Sequence, residues 1–264
     1  MKYVFIGAGS MASAIMRGMV AGGIEASDIG VYNRTEEKAQ ALSKELGVSV
    51  MGSLEFAAAE AESLVLAVTP QAFKTILPEV GKSIKPGALV MSIAAGYSIG
   101  DIQSGLGTAN GIIRIMPNVN AKVRASTTGF AASESVTAEQ LAAFKSAFGK
   151  VGELIELEES EFEAFSALAG CGVAYVYMFI DALARAGLKN GLSKAKALKI
   201  AASAVSGSAK LVSESGAHPY ELVDSVTTPG GTTIEGVITL QRLGFESAVH
   251  AAVQASIDKE ERLK

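Results

Sequence analysis

The chain has one cysteine, two histidines and few charges of either sign, and each scarcity removes a class of protein. A single cysteine, Cys171, rules out an internal disulfide framework and fits a reducing compartment. Two histidines and one cysteine give no Cys/His cluster, and no carboxylate constellation replaces it, so no metal site is expected. No basic cluster exceeds two residues and the net charge is −4, which argues against nucleic acid as a partner. Charged residues make up only 19% and hydrophobic ones 49% of the 264 residues. That balance excludes disorder and leaves a soluble protein with ample core, in one large domain or two modest ones.

Two stretches imitate membrane signals. Lys2 followed by the small, apolar run 3–16 has the look of a leader, and 164–180 carries no charge. The first reads better as a strand plus glycine loop. The second contains Ser166, Gly170, Gly172, Tyr175 and Tyr177, and a helix apolar all round also suits a protein core or interface. Both are assigned to soluble structure in the cytoplasm.

Hydrophobic patterning divides the chain in two. Short apolar runs at 3–6, 29–32, 48–51, 63–68, 89–93, 111–115, 127–132 and 151–157 alternate with helical segments. Pro78 breaks or restarts the helix expected over 71–84, and Thr137 with Gln140 caps another. Near-continuous apolar strands separated by helices predict an α/β fold, a doubly wound Rossmann-type parallel sheet over residues 1–159. No strand pattern follows Leu157. Ser160 and Glu163 have capping-box spacing for a helix reaching Ala186, and further helices are expected from Ser193 to Ser215, Thr233 to Leu243 and Ser247 to Arg262. Residues 160–264 therefore read as an all-α domain.

The sequence Gly7-Ala8-Gly9-Ser10-Met11-Ala12 lies between the first strand and the first helix, the proper context of a dinucleotide fingerprint. Gly7 permits the tight turn, Gly9 lets a pyrophosphate approach the backbone, and Ala12 keeps helix and strand close. The second strand ends in Tyr32-Asn33-Arg34 instead of an acidic residue, with Lys38 one turn on. A neutral Asn33 does not repel a phosphate and Arg34 can bind one bidentately, so NADP(H) is favoured, with NAD(H) as the alternative. Small residues at two later strand ends, Ala67-Val68-Thr69-Pro70 and Ala94-Ala95-Gly96, would let the nicotinamide half pass.

The helical part offers little acid–base chemistry. His218 precedes Pro219 in an expected loop, His250 lies mid-helix, Cys171 reads as packed, and the stretch 160–186 has no lysine. What remains is Ser225 to Gly236, with four threonines, Pro229 and the pair Gly230-Gly231. Thr232 and Glu235 have capping-box spacing, so the N–H groups of Gly231, Thr232 and Thr233 should face an anion at a helix start. Hydroxyls and amides suit a carboxylate beside an imine, which accepts hydride without a strong protein acid once protonated.

These segments together resemble the pyrroline-5-carboxylate reductase family. The resemblance spans the chain: the Gly7–Ala12 turn, Ala67-Val-x-Pro-Gln71, Ala94-Ala-Gly96, Arg114-x-Met-Pro-Asn118, Ala174-Tyr175 with Asp181-Ala-Leu183, and Val226 to Thr233. It implies reduction of L-1-pyrroline-5-carboxylate to L-proline with NAD(P)H, the last step of proline biosynthesis. By the same resemblance Thr228, Gly231 and Thr232 hold the substrate carboxylate, Gly230 belongs to the same substrate-binding turn, Thr233 bonds the ring nitrogen, and the cofactor contacts include Asn118. It further implies homodimers through interleaved helical domains, often in rings of dimers. Two departures stand out: Thr69 where the family commonly has lysine, and Ala169-Gly-Cys-Gly-Val173 in place of Ser-Gly-Ser-Gly-Pro. A reductase of another cyclic imine or of a β-hydroxy acid, and an NADP(H)-binding regulator without activity, are the other readings.

Overall fold

The computed structural model of the chain describes residues 1–262. It divides into two compact units, one ending at Gly170 and the other beginning at Cys171. The last two residues of the expected helical domain lie outside the described residues.

In the first unit the chain runs β1 (Tyr3–Ile6), α1 (Ser10–Ala21), β2 (Ile29–Tyr32), α2 (Glu36–Leu46), β3 (Ser49–Val50), α3 (Leu54–Glu60), β4 (Ser63–Leu66) and α4 (Pro70–Ser83). It continues through β5 (Leu89–Ser92), α5 (Ile99–Leu106), β6 (Ile112–Met116), β7 (Ser126–Ala132), α6 (Ala138–Phe148) and β8 (Gly152–Glu156). The strands form one sheet in the order β3-β2-β1-β4-β5-β6-β7-β8. Strand β1 shows why helices cover both faces. Tyr3 and Phe5 enter one apolar cluster with α1 and α6, while Val4 and Ile6 enter the other with α3 and α4. A strand buried on both sides has no polar alternation to show, as its sequence shows none.

The first six strands are parallel, but β7 pairs with β6 antiparallel, and β8 follows β7. The reason is length. Only residues 117–125, wound partly as a 3₁₀ turn at Val119–Val123, join β6 to β7, too few for a parallel crossover. Helix α4 runs through Pro78, which lies on its exposed side. The Thr137–Gln140 capping box forms as its spacing predicts. The one expected at Ser160–Glu163 does not; Glu158 and Glu161 make the box instead, on a 3₁₀ turn at Glu159–Glu161. A short helix α7 (Phe162–Phe165) and a π-turn at Ser166–Cys171 follow without a break, so the helix expected from Ser160 to Ala186 is present as one segment, Glu159–Lys189, with 3₁₀ and π turns near its start.

The second unit contains α8 (Gly172–Lys189), α9 (Lys194–Ser215), α10 (Pro219–Ser225), α11 (Thr232–Arg242) and α12 (Phe245–Glu261). Helices α8 and α9 pack closely at Gly187, where a Cβ would lie 3.2 Å from that of Ala197. Tyr175 Oη reaches Ser256 Oγ at 2.5 Å and donates to the Ala252 carbonyl at 3.2 Å, tying α8 to α12. Yet among the described residues its buried apolar cluster consists of Ala184, Ala197 and Ala201, with Ile180 and Leu192 partly buried against it. Three alanines remove too little apolar surface from water to offset the ordering of five helices. The helical segment Glu159–Lys189 contains an 18-residue window with a mean hydropathy of 1.7, which passes the length and composition test for a membrane span, and only 11% of that window is buried in the single chain. Cys171, expected to be packed, is exposed in the single chain.

Candidate active site

The strand order reverses between β1 and β4, and an open α/β sheet binds ligands at the carboxyl ends of such neighbours. The register places Ile6 beside Leu66, so the turns leaving both strands meet at one edge. A cleft of about 580 Å³ opens there, bounded by Gly7, Ala8, Gly9, Asn33, Arg34, Ala67, Val68 and Thr69. Gly7 donates its N–H to the Tyr32 carbonyl at 2.7 Å and sits at φ +116°. A Cβ on Gly7 would fall 2.3 Å from the Ala67 carbonyl oxygen, so no other residue fits. Gly9 differs. Its φ of −74° is ordinary and a Cβ would meet nothing within 4 Å. The fold leaves that space open above the N-terminus of α1, whose first turn has no acidic side chain. The cradle therefore fits a dinucleotide pyrophosphate, held by the N–H groups that begin the helix.

Asn33 contributes more than its neutrality. Its Oδ1 accepts from Ala8 N at 3.0 Å and its Nδ2 donates to the Thr35 carbonyl at 2.7 Å. The side chain thus braces the glycine turn against the end of β2. Arg34 is exposed on the cleft rim beside Lys38. Arg34 just before α2 and Lys38 in its first turn both line the cleft, whereas Glu36 and Glu37 of that turn are not among its lining residues, so the rim has the charge to accept a ribose phosphate. Replacing Arg34 by alanine is expected to weaken NADPH binding roughly 10- to 150-fold, the effect of one charged hydrogen bond, with little change for NADH. Titrating both nucleotides checks this; equal weakening would place Arg34 away from the 2′-phosphate.

The other expected cofactor contacts are distributed unevenly. Ser10 is exposed at the start of α1, Met11 is half-buried, and Ala12 is buried against the sheet. Pro70 is the first residue of α4. Ala94 is buried, while Ala95 and Gly96 are exposed at the carboxyl end of β5, with Gly96 at φ +81°. That end is fixed to the next strand by Ile93 N donating to the Leu66 carbonyl at 3.1 Å. Ser98 and Asp101 form a capping box on α5, and the Ser98 hydroxyl and then its N–H hold the Asp101 carboxyl below its usual range. Asn118 does not reach this cleft. It is buried, with Oδ1 accepting from Asn120 N and Nδ2 donating to the Ala169 carbonyl at 3.0 Å. Thr35, Gln71 and Thr75 also line the cleft and were not among the expected contacts. Gln71 and Thr75 stand four apart just after Pro70, a polar helix-face spacing that marks them in the sequence.

The threonine stretch has its own geometry. Gly231 N donates to the Thr228 carbonyl at 2.9 Å across Pro229 and Gly230, and Gly230 has φ +68°, a type II turn. Helix α11 then begins at Thr232 with Gly231 as its N-cap. The expected Thr232–Glu235 capping box does not form, and the Gly231 N–H is occupied by the turn instead of facing an anion. The first-turn N–H groups of Thr232 and Thr233 have no intrahelical acceptor, and both residues are exposed. A Cβ on Gly231 would lie 2.4 Å from Thr228 Oγ1, so glycine there is what lets that hydroxyl sit over the turn. His218 is a helix cap: Nδ1 accepts from Tyr220 N at 3.2 Å, and its loop is in fact the start of α10. His250 is exposed on α12.

A glycine turn at the switch point, a basic rim beyond β2 and a doubly wound sheet define a dinucleotide-dependent oxidoreductase domain. Residues 2–96 match the family described as NADP oxidoreductase, coenzyme F420-dependent, and residues 159–263 match pyrroline-5-carboxylate reductase dimerisation. A pyrroline-5-carboxylate reductase of Escherichia coli (strain K12) is 38% identical over 263 residues, covering 99% of this chain and 98% of the relative. Among solved structures, the reductase from Coxiella burnetii superposes with a TM-score of 0.94 at 32% identity, covering 100% and 98% of the two chains. That of Plasmodium falciparum, solved with NADP bound, gives 0.86 at 28% identity, covering 99% and 97%. The chain belongs to the pyrroline-5-carboxylate reductase family.

Proposed function

We propose that this chain reduces L-1-pyrroline-5-carboxylate to L-proline with NADPH, the closing step of proline biosynthesis. The observation that carries this reading is the type II turn at Thr228–Gly231, delivering two exposed threonines to the start of α11 in a chain that matches the family over its whole length. NADPH, when bound, supplies the hydride. Gly7, Gly9 and the first turn of α1 would hold its pyrophosphate, and Asn33, Arg34 and Lys38 its ribose phosphate. The N–H groups of Thr232 and Thr233, aided by the Thr228 hydroxyl, hold the substrate carboxylate at a helix N-terminus. The Thr233 hydroxyl bonds the ring nitrogen and orients the C=N bond. A protonated imine needs no further acid, in keeping with the exposed, cap-forming or mid-helix positions of the two histidines. The assay is NADPH oxidation with pyrroline-5-carboxylate, set against other cyclic imines and keto acids. Turnover of only the latter substrates would overturn the reading.

The functional division proposed is a nucleotide-binding domain to residue 159 and a helical domain beyond. The helical unit is completed by a second copy of the chain, in a homodimer or a ring of dimers. Its three-alanine core and the exposure of Met178 (72%), Val176 (45%) and Leu183 (41%) on α8 support this over a membrane span. Met178→Asp would place a charge in that interface. It is expected to convert the assembly to monomer in light scattering and to reduce turnover more than ~10-fold, since an unpaired charge at an apolar interface costs several kcal/mol. An unchanged mass would show that α8 faces something else.

A further inference from the structure

One ion pair connects three segments that the sequence keeps far apart. Arg114, on β6, donates from Nη1 to Glu159 Oε1 at 3.1 Å. The same oxygen accepts the backbone N–H of Ile99 at 2.9 Å. Ile99 opens α5, directly after the turn Ala94-Ala95-Gly96 that leaves β5 at the carboxyl edge of the sheet. Glu159 is also the first residue of the stretch matching the dimerisation family. The Arg114 guanidinium carbon lies 4.1 Å from the centroid of the Phe162 ring, so the cation is stacked on α7 as well as paired. Its side chain is only 13% exposed, against 36% for Glu159.

These contacts have a geometric consequence for the turn. Its N-terminal end is tied to β4 through Ile93 N and the Leu66 carbonyl. Just beyond the turn, Tyr97 packs on Phe73 of α4 in a tilted pair with centroids 4.6 Å apart. The far end has the Ser98–Asp101 capping box, a contact local to α5, and Ile99 N on Glu159. Ile102 and Leu106 pack α5 into the core beside α4, and among the hydrogen bonds at this end the Glu159 bond is the one that reaches another part of the chain. The turn contains Gly96 at φ +81° and an exposed Ala95, with Ala94 buried at its start, so its exposed part has no side chain large enough to set its position.

We propose that Arg114 and Glu159 are positioning residues for hydride transfer: the pair holds the Ala94–Gly96 turn at the height the nicotinamide end of the cofactor requires. The inference rests on the reductase reading above. Neither residue touches substrate or cofactor; Arg114 aims Glu159, and Glu159 fixes Ile99. Hydride transfer is sensitive to such placement, and a displacement of about 1 Å costs on the order of 100-fold in rate. The pyrophosphate and ribose-phosphate contacts lie at β1 and β2, on the other side of the switch point. Loosening the turn should therefore spare cofactor affinity while slowing the chemical step.

The test compares Glu159→Ala, Glu159→Gln, Arg114→Gln and Arg114→Lys in the full chain. The readouts are kcat, KM for pyrroline-5-carboxylate, NADPH affinity by fluorescence, Tm, and the primary isotope effect with NADPH deuterated at the transferred position. Glu159→Ala is expected to lower kcat about 10- to 100-fold, leave the NADPH dissociation constant within about twofold, and raise the isotope effect as chemistry becomes limiting. Glu159→Gln keeps a carbonyl oxygen for Ile99 N and should recover most of the loss; Arg114→Lys should likewise exceed Arg114→Gln. If Glu159→Ala proves insoluble, the two conservative comparisons decide. A kcat unchanged in Glu159→Ala, a loss appearing wholly in NADPH affinity or Tm, or equal kcat for Arg114→Lys and Arg114→Gln overturns the proposal. Wild-type enzyme without turnover of the imine overturns the reductase reading, and this proposal with it; wild-type turnover with unaffected variants overturns only the positioning role.

Discussion

Gly9→Val is expected to yield a folded protein whose affinity for NADPH falls ~100-fold or more. The two outcomes separate because Gly9 is not required by the fold. Its backbone is in an ordinary extended conformation, it makes no side-chain cap, and its Cβ direction opens onto empty space. A valine there costs the N-cap position at most about 1 kcal/mol, or a few degrees in Tm. The same isopropyl group stands where a pyrophosphate must approach the first turn of α1, and a phosphate kept from those N–H groups loses both their hydrogen bonds and the helix dipole. Gly7→Ala provides the opposite split. At φ +116° with the Ala67 carbonyl 2.3 Å from the new Cβ, the burden falls on folding before any ligand binds. Thermal unfolding followed by NADPH titration distinguishes the two. Normal NADPH binding by Gly9→Val would move the pyrophosphate away from this turn and with it the whole reading of the cleft.

The nucleotide half of the molecule was legible because its signals are local. A buried parallel strand needs nothing but an apolar run, and Gly7 and Gly9 lie within three residues of one. Even the role of Gly7 follows from the turn itself. The errors arose where distant groups decide between equivalent local choices. Glu158/Glu161 and Ser160/Glu163 both have the three-residue spacing of a capping box. The first forms, and between its two members lies Glu159, bonded to Ile99 and Arg114 in the other half of the sheet. Asn118 shows the same limit. Its motif marks it as functional, but its buried amide satisfies a carbonyl at the π-turn 51 positions away, which no spacing discloses. The direction of β7 was missed for another reason: only nine residues join β6 to β7, and so short a connection reverses the chain. In the helical unit, apolar positions read as core are exposed in a single chain. Patterning reports that a face is to be buried and not by which molecule.

Thr233→Val is expected to lower kcat roughly 10- to 150-fold while NADPH affinity stays near wild type, the range of a hydrogen bond to a charged partner. The structure makes this a cleaner experiment than the sequence suggested. Had Thr232 and Glu235 formed a capping box, a nearby substitution would have disturbed the helix start and blurred catalysis with folding. Gly231 is the N-cap, its own N–H closes the type II turn, and neither Thr232 nor Thr233 makes a side-chain cap bond. Valine keeps the shape and β-branching of threonine and leaves the Thr233 N–H in place, so the carboxylate half of the site persists. Thr232→Val serves as the companion. A residue that only holds the carboxylate binds ground state and transition state alike, and its loss raises KM with little change in kcat. A residue bonded to the ring nitrogen matters more as the C=N bond becomes an amine, and its loss should appear in kcat. Steady-state kinetics of the two variants thus tests one division of labour between adjacent threonines, and a rise in KM alone for Thr233→Val would assign both to the carboxylate.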